Sequence, residues 1–174
     1  MRELSHDAPT IQNTVRAILT RELFAFRRGV EAYRDEASLW RAVPGIANSG
    51  GTLVLHVCGN LRHYIGGVLG RSGYARDRDA EFRRRDVPRD ALLEEIDAAI
   101  EAVARGMDAT EDAALGGRFP EKVGGREVMT LDFLVHSASH LAYHLGQFDY
   151  HRRIVTGDAR TIGAVAPAEL PPAT

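Results

Sequence analysis

His136, His140 and His144 stand four residues apart in LVHSASHLAYHLGQFDYH, where this chain concentrates its capacity for chemistry. With Phe133 as zero and 100° per residue, they fall at about 300°, 340° and 20° of a helix, with Gln147 at about 320° and His151 near 0°. Leu134, Leu141 and Phe148 lie beside this row, at about 60–100°, so the imidazoles border an apolar face. Histidines four apart are separated by about 6 Å along the axis and about 40° in azimuth. Their nitrogens can converge on one ion at the roughly 2.0–2.1 Å typical of zinc, the geometry of H-x-x-x-H sites on helices. Two ligands hold a metal weakly. A third must come from another helix, as it does in bundle cores. His56, between Leu55 and Val57 in TLVLHVCGNLRHY, is the candidate. His63 shares roughly its face but lies less deep in the apolar run. Cys58, two residues from His56, projects elsewhere and reads as a buried thiol. Two alternatives use no metal: hydrogen-bonded structural histidines, or a cluster that charges near the unperturbed pKa of about 6.5.

These residues need helices to hold them. Apolar periodicity predicts a first helix over about Thr10–Leu39 and a second over Ser49–Leu69, with Asn48 or Ser49 at its cap and Leu53, Val57, Leu61, Tyr64 and Val68 on its buried face. A polar link, 71–85, leads to a third helix over Pro88–Met107, with Asp86 as cap and Leu92, Ile96, Ala99, Ile100 and Val103 inside. A fourth spans Leu131–Val155, capped by Thr130 and ended by Gly157. Between the last two, the glycines and Pro120 of 108–129 predict a short hairpin or an ordered loop. The expected fold is all-α: a four-helix bundle in a single domain over 1–157. Residues 158–174, with Pro167, Pro171 and Pro172, are expected to be extended or disordered.

Composition narrows the function classes. The 22 Lys and Arg against 24 Asp and Glu give a net charge of −2, so the broad basic footprint of a nucleic-acid binder is missing and no such partner is expected. One cysteine excludes an intrachain disulfide and a cysteine-rich zinc site. Neither a membrane-length apolar run nor a signal-type N-terminus is visible, so the expectation is a cytoplasmic protein without membrane contact.

NSGGTLVLHVCGNLRHYIGGVLG, RDRDAEF and FLVHSASHLAYHLGQFDY together resemble the DinB-like superfamily, across roughly Thr10 to Thr156. The most specific elements are HLAYHLGQ, residues 140–147, and LVLHVCGN, residues 53–60. The resemblance implies one divalent metal held by His56 from the second helix and His140 and His144 from the fourth, with His136 as pocket wall. Zinc and nickel are expected first, then iron or manganese, although imidazole suits several of these ions and does not select among them.

Three protein ligands leave positions open, the catalytic arrangement. A metal-dependent enzyme of one of two types is then expected, the second of them implied by the resemblance. One is a hydrolase with metal-bound hydroxide; the other is a low-molecular-weight-thiol S-transferase. The alternative is a metal or small-molecule binding protein without turnover. Gln147, Asn60, His63 and Glu22 are candidates to support the ligands or line the pocket. Glu22 competes with a simpler pairing to Arg21 or Arg27. Arg76 and Arg78 are candidates for receiving an anionic group of the small-molecule substrate, against the alternative of a solvated loop of alternating charges. A homodimer is the expected assembly.

Overall fold

The computed structural model of the chain describes residues 10–170. In chain order, the helices are α1 (Ile11–Glu31), α2 (Glu36–Leu39), α3 (Gly50–Leu61), a π-helical continuation (Arg62–Leu69), α4 (Arg78–Arg83), α5 (Arg89–Asp108), α6 (Asp112–Leu115) and α7 (Thr130–Thr156), then a 3-10 turn at Pro167–Glu169. No strand occurs among the described residues, only isolated bridges. Nor is any described helix long and apolar enough to cross a membrane.

Residue pairings set the directions of the four long elements. Arg16 meets Asp108 and Arg27 meets Asp97, so α1 and α5 run antiparallel. The rings of Phe26 and Phe148 touch, as do those of Tyr33 and His151, so α1 and α7 run parallel. His56 faces His140 and His144 while Tyr64 faces Phe133, so α3 and α7 run antiparallel. The π-helical segment and α5 run parallel, Gly66 against Ala102 and Gly70 against Gly106. Two sequential parallel elements require a connection that returns along the bundle. Residues 70–88 make that return and lay α4 across α3. The core between the helices holds Leu19, Leu23, Phe26, Leu53, Ile96, Leu145 and Phe148, all essentially buried.

Several boundaries depart from periodicity. The first helix stops at Glu31. Asp35 starts α2 by accepting the Ser38 N–H at 2.7 Å. The break buries Tyr33, whose hydroxyl meets His151 Nδ1 at 2.8 Å. The second helix starts as expected, with Ser49 accepting the Thr52 N–H, but widens to π winding after Leu61. The buried stripe expected through Tyr64 and Val68 passes instead to Ile65 and Gly66. Glycines permit this seam: a β-carbon on Gly106 would overlap the Ile65 carbonyl, and one on Gly66 would overlap Ala102. Asp86 does not cap α5. It sits at φ 55°, Pro88 takes the cap position, and the Arg89 N–H donates to Glu36 Oε1 at 2.9 Å. Met129, not Thr130, holds the cap position of α7, whose end at left-handed Gly157 is as expected.

Residues 109–129 form α6 and then a narrow hairpin-like loop. The Phe119 N–H donates to the Val128 carbonyl, and Val123 and Arg126 exchange bonds around Gly124 and Gly125. Residues 158–170 are irregular up to the 3-10 turn at Pro167–Glu169, and they are docked. Ile162 is buried, Arg152 donates to the carbonyls of Asp158 and Arg160, and Arg28 reaches the Ile162 carbonyl at 2.8 Å. Pro171 and Pro172 lie outside the described residues.

Candidate metal centre

The antiparallel seam of α3 and α7 brings the three histidines together. Ring centroids are 4.9 Å apart for His56 and His144, 5.4 Å for His56 and His140, and 4.4 Å for His140 and His144. One nitrogen from each ring lies within 4.8 Å of the others. The Nε2 atoms of His140 and His144 are 3.1 Å apart. Two nitrogens at about 2.05 Å from a tetrahedral ion are roughly 3.3 Å apart, so the donor set fits a small divalent metal.

Two of the rings are oriented by neighbours that accept hydrogen bonds. His144 Nδ1 donates to Gln147 Oε1 at 2.8 Å, and His56 Nδ1 donates to Glu81 Oε2 at 3.0 Å. Each bond places the ring proton on Nδ1 and leaves the Nε2 lone pair for an ion. Glu81 is itself held by Arg76, whose Nε and Nη2 donate to its oxygens at 2.6 and 2.8 Å. Burial pushes the Glu81 carboxyl up, but the bonds from Arg76 and His56 outweigh it and hold the group below its usual range. Phe82, next in α4, packs its ring 4.8 Å from that of His56.

A cavity of about 590 Å³ opens over the three histidines. Asn60, Arg76, Arg78, Phe82 and His136 are on its walls, with Tyr64 and Phe133, and the hairpin tip brings Val123 and Gly124 to it. His136 is exposed, with its ring 5.9 Å from that of His140. Arg78 is exposed and lies over Phe82. Arg76 differs from the expectation of a substrate arginine. Its side chain is buried and two of its N–H groups are committed to Glu81. His63 is not on the cavity wall. The π winding turns it outward to Glu121, 3.0 Å away. His151, in the same row by azimuth, is withdrawn to Tyr33 and the Arg41 carbonyl.

Glu22 is a correction. It is fully buried, but its carboxylate binds Arg21 and accepts the Val165 N–H at 3.2 Å. A carboxylate in an apolar stripe needs partners. Here the neighbouring guanidinium and the docked C-terminal segment supply them, away from the three histidines. Glu81, by contrast, does not stand out in the sequence, although RDRDAEF contains it.

Burial holds the His140 pKa down to about 4, helped by the positive charge that His144, His56, His136 and Arg76 can carry. Burial also lowers His144, against the Gln147 bond that raises it, and it lowers His151. Neutral imidazoles are the form that binds metal. The same shifts bear on the metal-free fold. Below about pH 6.5 the unfolded chain takes up protons that the folded state refuses, so stability is lost as pH falls. For His140 that loss runs down to about pH 4. The metal-free protein is expected to melt at progressively lower temperature from pH 7.5 to 4.5 in chelator. His140→Ala should show a shallower fall, and equal slopes would remove His140 from the cause.

The family model described as mycothiol S-transferase matches residues 14–157, a span that includes all three histidines and Glu81. Neither a curated protein nor a solved structure matches the chain. The span covers most of the chain, which therefore belongs to the mycothiol S-transferase family, within the DinB-like superfamily.

Proposed function

We propose that this member of the mycothiol S-transferase family joins a low-molecular-weight thiol of the mycothiol class to a carbon electrophile, with a divalent metal held by His56, His140 and His144. The convergence of three imidazoles under a solvent-open cavity, in a chain of this family, carries the reading. A divalent ion bound there supplies a positive centre that favours the thiolate form of the cosubstrate. Zinc and nickel rank ahead of iron and manganese because the donors would be imidazole and thiolate. The chain's own residues do the rest. Gln147 and Glu81 aim the His144 and His56 rings, Phe82 shields His56, and Arg78 and His136 offer polar contacts at the rim. In the net reaction an S–C bond forms, the bond from that carbon to its leaving group breaks with its electron pair leaving, and the thiol proton passes to solvent. Family membership favours this transfer over hydrolysis.

The test compares metal-free, zinc-loaded and nickel-loaded protein with mycothiol and 1-chloro-2,4-dinitrobenzene. Thioether and chloride should appear in equal amounts, above the spontaneous rate, and only with metal-loaded protein. One metal per chain without any accelerated thioether formation would favour the non-catalytic binding protein.

A further inference from the structure

A second cavity of about 560 Å³ lies on the outer side of α7, against the loop that leads into α3. Ile46, Leu53, Tyr143 and Tyr150 line it around Gly146, and Asn48 and Gln147 are among its other lining residues. Three observations join it to the metal centre. Asn48 lines both cavities. Gln147, on this wall, is the residue bonded to His144 Nδ1. The Tyr143 ring stands edge-on to the His144 ring, with centroids 5.3 Å apart.

The groove has the composition of a site for a flat, apolar molecule. Tyr143 and Tyr150 are 64% and 69% exposed. They sit three residues before and four after Gly146, on one face of the helix. Solvent-facing rings at that spacing offer stacking surfaces to an aromatic guest. Between them, a β-carbon on Gly146 would meet no atom within 4 Å. Glycine is among the poorest helix formers, so neither packing nor helix propensity asks for it here. The space above it is what a larger residue would remove.

We propose that this groove binds the electrophilic cosubstrate, an aromatic or similarly planar apolar carbon electrophile, while the cavity over the histidines takes the thiol. The inference rests on the S-transfer reading. It adds where the second substrate lies: against Tyr143, beside His144, with its leaving group toward solvent. Attack by the thiolate sulfur forms the S–C bond, and the C–Cl bond of a chloroarene probe breaks to release chloride.

Gly146→Leu tests this by filling the groove, since its β-carbon is accommodated. With 1-chloro-2,4-dinitrobenzene, its KM should rise at least tenfold, while the KM for thiol stays within twofold and metal content is unchanged. Tyr150→Ser, which removes a wall, should shift the same KM in the same direction. Binding of 1,3-dinitrobenzene, which has no leaving group, to metal-free protein should weaken in parallel when followed by NMR titration. Equal affinity for 1,3-dinitrobenzene in wild type and both variants would overturn the proposal. So would a wild-type dimer that Gly146→Leu converts to monomer with KM unchanged, because the groove would then be a subunit contact. Failure of the S-transfer reading looks different: no thioether from the wild type, yet 1,3-dinitrobenzene binding still lost on filling the groove.

Discussion

Exchanging His140 for alanine is expected to abolish stoichiometric metal binding and S-transfer together, with helix content unchanged. The His140 ring faces both other imidazoles of the cluster, at 5.4 Å from His56 and 4.4 Å from His144 between centroids. Zinc sites with four ligands bind with about 10–16 kcal/mol, or about 2.5–4 kcal/mol per ligand, so losing one of three should weaken affinity by roughly 70–900-fold. The fold should tolerate the change, because the His140 ring is only half-buried and is held down in pKa by its surroundings. Elemental analysis of untagged protein, purified without nickel resin, reads the result. His136→Ala is the companion. It removes the outer member of the other i, i+4 pair, but its ring is exposed and 5.9 Å from that of His140, so about one metal per chain should remain. Full metal retention in His140→Ala, or its loss in His136→Ala, would move the site along the helix.

Much of that cluster is legible in the sequence. The row on α7 follows from spacing alone, because i, i+4 histidines must share a helix face. Depth in an apolar run favours His56 over His63, and the structure places it so. The chain falls short of the simple pattern where a local rule gives way to a tertiary one. A 3.6 repeat carries the buried stripe through Tyr64 and Val68, but close packing of Gly66 and Gly106 against the facing helix widens the winding and sends His63 outward. Glu22 resembles a site residue because it is a carboxylate on an apolar face. Its partners are an adjacent arginine and a backbone N–H more than 140 residues away, and periodicity reports nothing about the latter.

The link between the second and third long helices carries the weakest sequence signal. Its alternating charges read more readily as solvated pairs than as substrate arginines. What decides is topology. The π-helical segment and α5 are parallel, so the chain must return along the bundle between them. That return passes over α3 at the level of His56. Asp77 caps α4 there by accepting the Ala80 N–H at 2.9 Å, which points Glu81 and Phe82 down at the histidine. Gly59, one turn beyond His56, leaves room for the Glu81 carboxylate where any β-carbon would collide with it. Charge in the link is thus divided. Arg76 is committed to Glu81, and Arg78 remains at the rim.

That arrangement makes Glu81 the positioning residue with the largest expected effect outside the ligands. Glu81→Gln keeps the shape but removes the negative charge that orients His56 and neutralises Arg76. Loss of such an outer partner of a metal-bound histidine weakens metal affinity by about 10–100-fold, and that is the fall expected in competition titration against a chelator. Glu81→Ala should add a loss of stability in the metal-free protein, because it strands the buried Arg76 guanidinium, and breaking a buried pair costs about 3–5 kcal/mol. The two readouts separate the roles. A purely structural ion pair would lower the melting temperature of both variants and leave the metal Kd of Glu81→Gln within twofold of wild type. An orienting role shifts the Kd in Glu81→Gln. In that case, combining Glu81→Gln with His56→Ala should cost little more than His56→Ala alone, because the ring that Glu81 orients is already gone. Additive losses in that cycle would instead mean that Glu81 acts on the metal through the field at the site and not through His56.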